Sequence, residues 1–283
     1  MTVEVPYRPL PLNQSKVRYA HGPDSSAQQG VPAGETIEFD WRESRAYPGT
    51  SRRFWVHLPA QYDPTKPAAL IVFQDGELNL DPEGEVRGGT VLDNLIHHGE
   101  MPVTIGLFVD PGTFEGAESP TNRNFEYDAF NDRYVSFLLE EIIPQVTDRY
   151  SITEDPELWG IGGCSSGGSC AFTAAWFRPD KFRRVVGCLS SFAQISGGNP
   201  YPELISRVPR KPLRVFLQAG HRDLHWNEPE RNWLANNLRV AAALAEAGYD
   251  FRLVLGDGGH SPNHGGTLIP DALRWLWRPA DSH

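Results

Sequence analysis

The chain has 283 residues, 40% of them apolar, and its eight Trp, nine Tyr and fourteen Phe suffice for one large core. Its 26 basic residues against 36 acidic ones give a formal charge of −10, which argues against nucleic acid or an anionic membrane as partner, and no apolar run reaches the length of a bilayer span. Three cysteines without metal-ligand spacing imply no disulfide framework, and the polar, proline-bearing residues 1–29 carry no signal pattern, so the expected setting is cytoplasmic.

Taken in order, residues 1–33 are rich in Pro, Gln, Ser and Gly and read as an irregular arm; residues 34–283 read as one domain. Composition leaves open whether the arm packs on that domain or crosses to a second copy in a homo-oligomer. Residues 36–41 and 52–59 alternate like strands around a Pro48-Gly49 turn and predict an antiparallel start to a sheet. Residues 68–73 and 103–109 are continuous apolar runs, as in central strands covered on both faces. Between them Val91, Leu92, Leu95 and Ile96 recur at helical spacing, and residues 132–150 predict a second helix that Pro144 kinks or caps. The long polar segment 112–131 lies on the ligand-binding side of such a sheet and is expected to cover the site.

A short strand at 158–161, the sequence Gly163-x-Ser165-x-Gly167 and a helix to residue 177 follow. That is the strand–turn–helix context of a nucleophile elbow, whose serine sits at the apex of a tight turn. Side chains at the two glycines would collide across it. Centring the pattern on Cys164 instead puts Ser166 where a glycine belongs, so Cys164 reads as a small packed residue. Strands at 184–189, 213–218 and 251–255, with helices at 232–247 and 268–277, complete the alternation. The prediction is an α/β-hydrolase fold: a mostly parallel central sheet with an antiparallel start and helices on both faces.

A serine hydroxyl needs a base, and the base needs an acid to hold its tautomer. His260, in Gly258-Gly259-His260 just after the last strand, is the expected base, with His264 the fallback. Asp223, in the loop after strand 213–218, is the expected acid, with Glu228 and Glu230 as alternatives; Asp257 reads as a turn residue. An oxyanion hole needs backbone N–H donors. One is expected from Ser166, the other from Glu77 or else Gly76, in Gln74-Asp75-Gly76-Glu77 after a strand. Arg123, Glu126 and Tyr127 either line the pocket or pin a long loop, and Phe192 and Trp226 either wall the pocket or belong to the core.

Gln74-Asp75-Gly76-Glu77, Arg123-x-x-Glu126-Tyr127, Ile142-Ile143-Pro144, Gly163-x-Ser165-x-Gly167 and Gly259-His260 occur in an order that resembles the putative-esterase family. That family includes enterochelin esterases, esterase D and feruloyl esterases, with mycolyltransferases as relatives. The resemblance spans roughly residues 36–277 and is closest to the enterochelin-esterase-like branch. It implies a Ser–acid–His triad matching Ser165, Asp223 and His260, and a backbone donor after the Asp75-Gly76 pair. The chain departs from full-length enterochelin esterases, whose large N-terminal domain has no counterpart here, and it has Cys164 beside the serine.

The expected function is therefore a serine esterase that works through an acyl-enzyme on a small-molecule ester (a siderophore, feruloyl or sugar ester) with no cofactor and no metal. One alternative is an acyltransferase on the same triad. Another is a metal hydrolase using the pairs His221/His225 and His260/His264, although both pairs fall in loops broken by Pro or Gly.

Overall fold

A computed structural model describes residues 15–117, 121–229 and 231–279. The antiparallel start is β1 (Glu35–Trp41) and β2 (Arg52–Leu58), joined in register Glu35↔Leu58 to Trp41↔Arg52. Then follow β3 (Ala69–Gln74), α1 (Gly76–Leu80), α2 (Gly88–His97) and β4 (Thr104–Val109). Next come α3 (Arg123–Tyr127), α4 (Arg133–Phe137) and α5 (Ile143–Thr147), before β5 (Trp159–Cys164), α6 (Ser166–Phe177) and β6 (Arg184–Cys188). The chain closes with α7 (Tyr201–Arg207), β7 (Arg214–Gly220), α8 (Trp233–Glu246), β8 (Asp250–Gly256) and α9 (Pro262–Trp277). All eight strands form one sheet in the order β1-β2-β4-β3-β5-β6-β7-β8, antiparallel up to β4 and parallel from there on.

The two-residue period of a strand sends neighbouring side chains to opposite faces. Leu70 and Val72 of β3 enter one core with Phe137, Phe172 and Val240 from the helices on that face; Ile71 and Phe73 enter the other, with Leu92 of α2 and Leu273 of α9. Both faces of β3 and β4 are thus covered, which explains their unbroken apolar runs.

Two differences from the sequence expectation have local causes. The helix expected over 132–150 stays helical from Arg133 to Thr147 but passes through a π turn at Leu138–Ile142, just before Pro144, which has no N–H to give. In that turn the buried Glu141 accepts from the N–H groups of Arg45 and Ala46 and from Trp41 Nε1, so it anchors the end of β1. The closing helix starts at Pro262 rather than 268, with Ser261 capping Asn263 N–H. Gly265 and Gly266, which mask that start in the sequence, are needed for contact: a Cβ on Gly265 would stand 2.6 Å from Cys188 Cβ, and one on Gly266 would strike the Glu85 backbone.

The described part of the arm, from residue 15, packs on its own domain: Asn94 Nδ2 donates to the carbonyls of Asp24 and Ser26, and Arg274 pairs with Asp24. Among the described residues no helix is long and apolar enough to cross a membrane.

Candidate active site

The elbow forms between β5 and α6. Ser165 holds φ 59° and ψ −127°, a region a non-glycine residue enters only when its surroundings over-determine it. Here its N–H donates to the Cys188 carbonyl at 2.8 Å, and its carbonyl accepts from Gly168 at 3.0 Å and Ser191 at 3.1 Å. A Cβ on Gly163 would lie 2.8 Å from the Gly167 carbonyl carbon, so a side chain there meets backbone across the turn. On Gly167 it would meet Asp75 Oδ2 at 3.1 Å and Gln74 Cβ at 3.2 Å, a milder conflict.

β7 and β8 deliver the other two groups. Their exits are laced by His221 N–H to the Gly256 carbonyl at 2.9 Å and Arg222 N–H to the Gly258 carbonyl at 3.0 Å. This brings Asp223 Oδ1 to 2.6 Å from His260 Nδ1, and His260 Nε2 to 3.0 Å from Ser165 Oγ. A carboxylate only accepts, so Nδ1 carries the proton and Nε2 is left to accept from the serine. Asp223 is fully buried, accepts a further 2.7 Å bond from Leu224 N–H, and faces an imidazole whose ring meets the edge of Trp233 at 4.7 Å. Ser191 Oγ stands 3.2 Å from Ser165 Oγ; with the Ser165 proton given to His260, Ser191 is the donor. Nothing in the sequence marked Ser191 except its place after a strand end.

The alternatives fall elsewhere. His264 is on α9, where Gln218 Nε2 donates to its Nδ1 at 3.0 Å and Tyr19 stacks on it at 4.0 Å. Burial lowers its pKa and Asp257 only partly opposes this. Glu228 pairs with His225 at the surface, and Glu230 lies outside the described residues. His260 and His264 have separate partners, Asp223 and Gln218, His225 pairs with Glu228, and among the described residues no group of three or more His, Cys, Asp or Glu side chains is arranged to hold a metal.

Ser166 opens α6, where the first N–H groups of a helix lack intrahelical acceptors. Behind it Asn124 Nδ2 lies 3.5 Å from Ser166 Oγ and 2.7 Å from Asp128 Oδ2; burial raises the Asp128 pKa against these hydrogen bonds. Glu77 departs from expectation. Asp75 adopts the left-handed conformation, φ 56° and ψ 57°, and the Glu77 N–H donates to Asp110 Oδ1 at 3.0 Å, while its carboxylate pairs with Arg53. That N–H is therefore aimed at Asp110 rather than at the serine. Gly76, the first residue of α1, has no acceptor one turn back.

A pocket of about 270 Å³ opens over Ser165 and His260, walled by Leu78, Val86, Leu189, Arg123 and Cys164. Of the residues expected there, Arg123 alone lines it. Its Nε and Nη2 clasp Asp75 at 2.6 and 2.7 Å, and Nη2 reaches the Cys164 carbonyl at 3.4 Å. Burial works against the Arg123 charge, but the hydrogen bonds and attraction of Asp75 outweigh it and hold the guanidinium above its usual pKa. Glu126 is instead buried with Arg52 in a two-pronged ion pair at 2.6 and 3.0 Å, both side chains 0% exposed. Tyr127 is buried with its hydroxyl accepting from Asp75 N–H, and Phe192 packs in the core against Phe172. Trp226 is 45% exposed under the Arg222 guanidinium, away from the pocket. Cys164 is directly opposite Cys188 in the β5–β6 ladder, half-buried in the pocket wall.

The family model described as "Putative esterase" matches residues 45–278. The iron(III) enterobactin esterase of Dickeya dadantii is 24% identical over 301 residues, covering 95% of this chain and 64% of that protein. A crystal structure of the enterobactin esterase of Shigella flexneri with enterobactin superposes with a TM-score of 0.72 at 22% identity, over 90% of this chain and 61% of that one. A ferulic acid esterase of Anaeromyces mucronatus, in complex with ferulic acid, does so at 0.70 and 19% identity, over 92% and 97%. At such identities the structural likeness speaks for the fold, and the chain spans less than two thirds of the enterobactin esterases it matches. The family match covers most of the sequence: the chain belongs to the putative-esterase family.

Proposed function

We propose that the protein is a serine carboxylic ester hydrolase acting through an acyl-enzyme. The observation that carries this is the unbroken chain Asp223–His260–Ser165, with bonds of 2.6 and 3.0 Å, beneath an open pocket. Family membership supports the same class of reaction. Ser165 Oγ attacks the ester carbonyl carbon while its proton passes to His260 Nε2, and buried Asp223 stabilises the imidazolium. Ser191, donating to Ser165 Oγ, orients the attacking oxygen before reaction. The carbonyl oxygen takes the negative charge at the N–H of Ser166, with Gly76 rather than Glu77 as the second donor. His260 then protonates the leaving alcohol, and a water repeats the sequence on the acyl-enzyme.

For substrate we infer an ester whose acyl part fits about 270 Å³ between Leu78, Val86 and Leu189. Ferulic and siderophore-type esters, after the relatives' ligands, are the first to try. The test is hydrolysis of p-nitrophenyl acetate through octanoate, methyl ferulate and enterobactin by wild type and Ser165→Ala, with and without EDTA. The reading expects activity that is lost in Ser165→Ala and indifferent to EDTA. Loss with EDTA alone would contradict it.

A further inference from the structure

The loop that carries His260 contains Gly258, at φ 109°, and Gly259, so its own backbone restrains it little. From the β7 side it is held through the Gly256 and Gly258 carbonyls. On its other side lies the N-terminal arm. Gly259 N–H donates to the Ser15 carbonyl at 2.8 Å. The Tyr19 hydroxyl accepts from Asp257 N–H at 2.8 Å and lies 3.3 Å from the Asp257 carbonyl. Tyr19 N–H donates to Asn263 Oδ1 at 2.6 Å, and Asn263 Nδ2 returns a bond to the Tyr19 carbonyl at 3.1 Å, so one side chain pairs with a backbone as a neighbouring strand would. The Tyr19 ring covers His264 at 4.0 Å and 17°. These contacts fall on both sides of His260 along the chain.

The same arm reaches the facing wall of the pocket. Glu85, which lines it, accepts from Arg18 at 2.7 Å and from Asn263 Nδ2 at 2.8 Å; the His21 ring meets its carbonyl at 2.8 Å. Arm, histidine loop and pocket wall are one hydrogen-bonded unit.

We infer that residues 15–21 are a positioning element of the active site: with Tyr19 at its centre, the arm clamps the loop that holds His260 over Ser165. The inference rests on the serine-esterase reading of that site. A Ser–His hydrogen bond tolerates little displacement, and misplacement by about 1 Å can cost about a hundredfold in rate. Tyr19 does not touch the reacting atoms; it acts through the loop.

The experiment compares full-length wild type, Tyr19→Ala, Tyr19→Phe, Ser165→Ala and a remote control, Tyr62→Phe. The Tyr62 hydroxyl accepts from Ser151 N–H at 2.8 Å, beside the start of β3 and so at the end of the parallel strands opposite the site. Each is assayed for kcat and KM on p-nitrophenyl acetate and for labelling at Ser165 by a fluorophosphonate, at a temperature where circular dichroism shows it fully folded. Tyr19→Ala is expected to lose about tenfold to a hundredfold in both kcat and labelling rate, with KM nearly unchanged. Tyr19→Phe keeps the ring stack and the backbone pair with Asn263 and recovers most of that loss; Tyr62→Phe matches wild type. If wild type labels at Ser165 and folded Tyr19→Ala labels and turns over within twofold of it, the inference fails and the esterase reading stands. If wild type neither turns over nor labels, both fall.

Discussion

Buried charges serve two ends in this chain: Arg52 and Glu126 brace the fold against each other, whereas Asp223 faces His260. Arg52 and Glu126 are sealed together, and removing one partner strands the other without water. Arg52→Met is expected to cost about 3–5 kcal/mol, read as a lower midpoint in urea with any residual folded enzyme still active. Asp223→Asn keeps the shape but supplies an amide where His260 Nδ1–H needs an acceptor charge. It should lower kcat by about four orders of magnitude at unchanged fold, measured on the best p-nitrophenyl ester. Near-wild-type turnover would send the acid role elsewhere. That Ser165, His260 and Asp223 meet was legible because each belongs to a local pattern: a Gly-framed apex or a strand end. Glu126, Tyr127 and Phe192 were not separable from pocket residues, because residue type and spacing do not say which side of a loop faces the core. Ser191 and Tyr19 gave no signal, since their partners are distant in sequence.

At the scale of elements, the elbow leaves little freedom. Gly163→Ala places a Cβ against the Gly167 backbone, so it is expected to cut folded yield and activity together; Gly167→Ala, which meets side chains instead, should be the milder of the two by thermal melt and turnover. The start of α9 makes a different prediction. Burial lowers the pKa of His264 from its ordinary value near 6.5, so the folded chain binds fewer protons there than the unfolded one. Stability from this group is complete above about pH 6.5 and is lost as pH falls below it toward the folded value. Urea midpoints between pH 7.5 and 5.5 should fall in wild type and fall less in His264→Gln. An equal fall in both would assign the dependence to other groups. The strands were readable in sequence because burial on two faces leaves continuous apolar runs. α1 and the first turns of α9 were hidden by the glycines that permit close packing.

For the whole molecule, the parallel run β5-β6-β7-β8 puts the carboxyl ends of β5, β7 and β8 at one end of the sheet, and that end collects the elbow serine, the acid and the histidine loop. The alternation of strands and helices was enough to anticipate this architecture and its antiparallel start. It was not enough to place the arm, whose Pro- and Gln-rich composition has no periodicity and whose fit depends on loops it touches only after folding. The central claim is that Ser165 is a nucleophile activated by His260. The most direct measurement is fluorophosphonate labelling of the full-length protein, with peptide mapping by mass spectrometry, in wild type and His260→Ala. The account predicts one phosphonyl group on Ser165 in wild type and labelling slowed by at least about a thousandfold in His260→Ala. Labelling at another residue, or at Ser165 with a rate indifferent to His260, would contradict it.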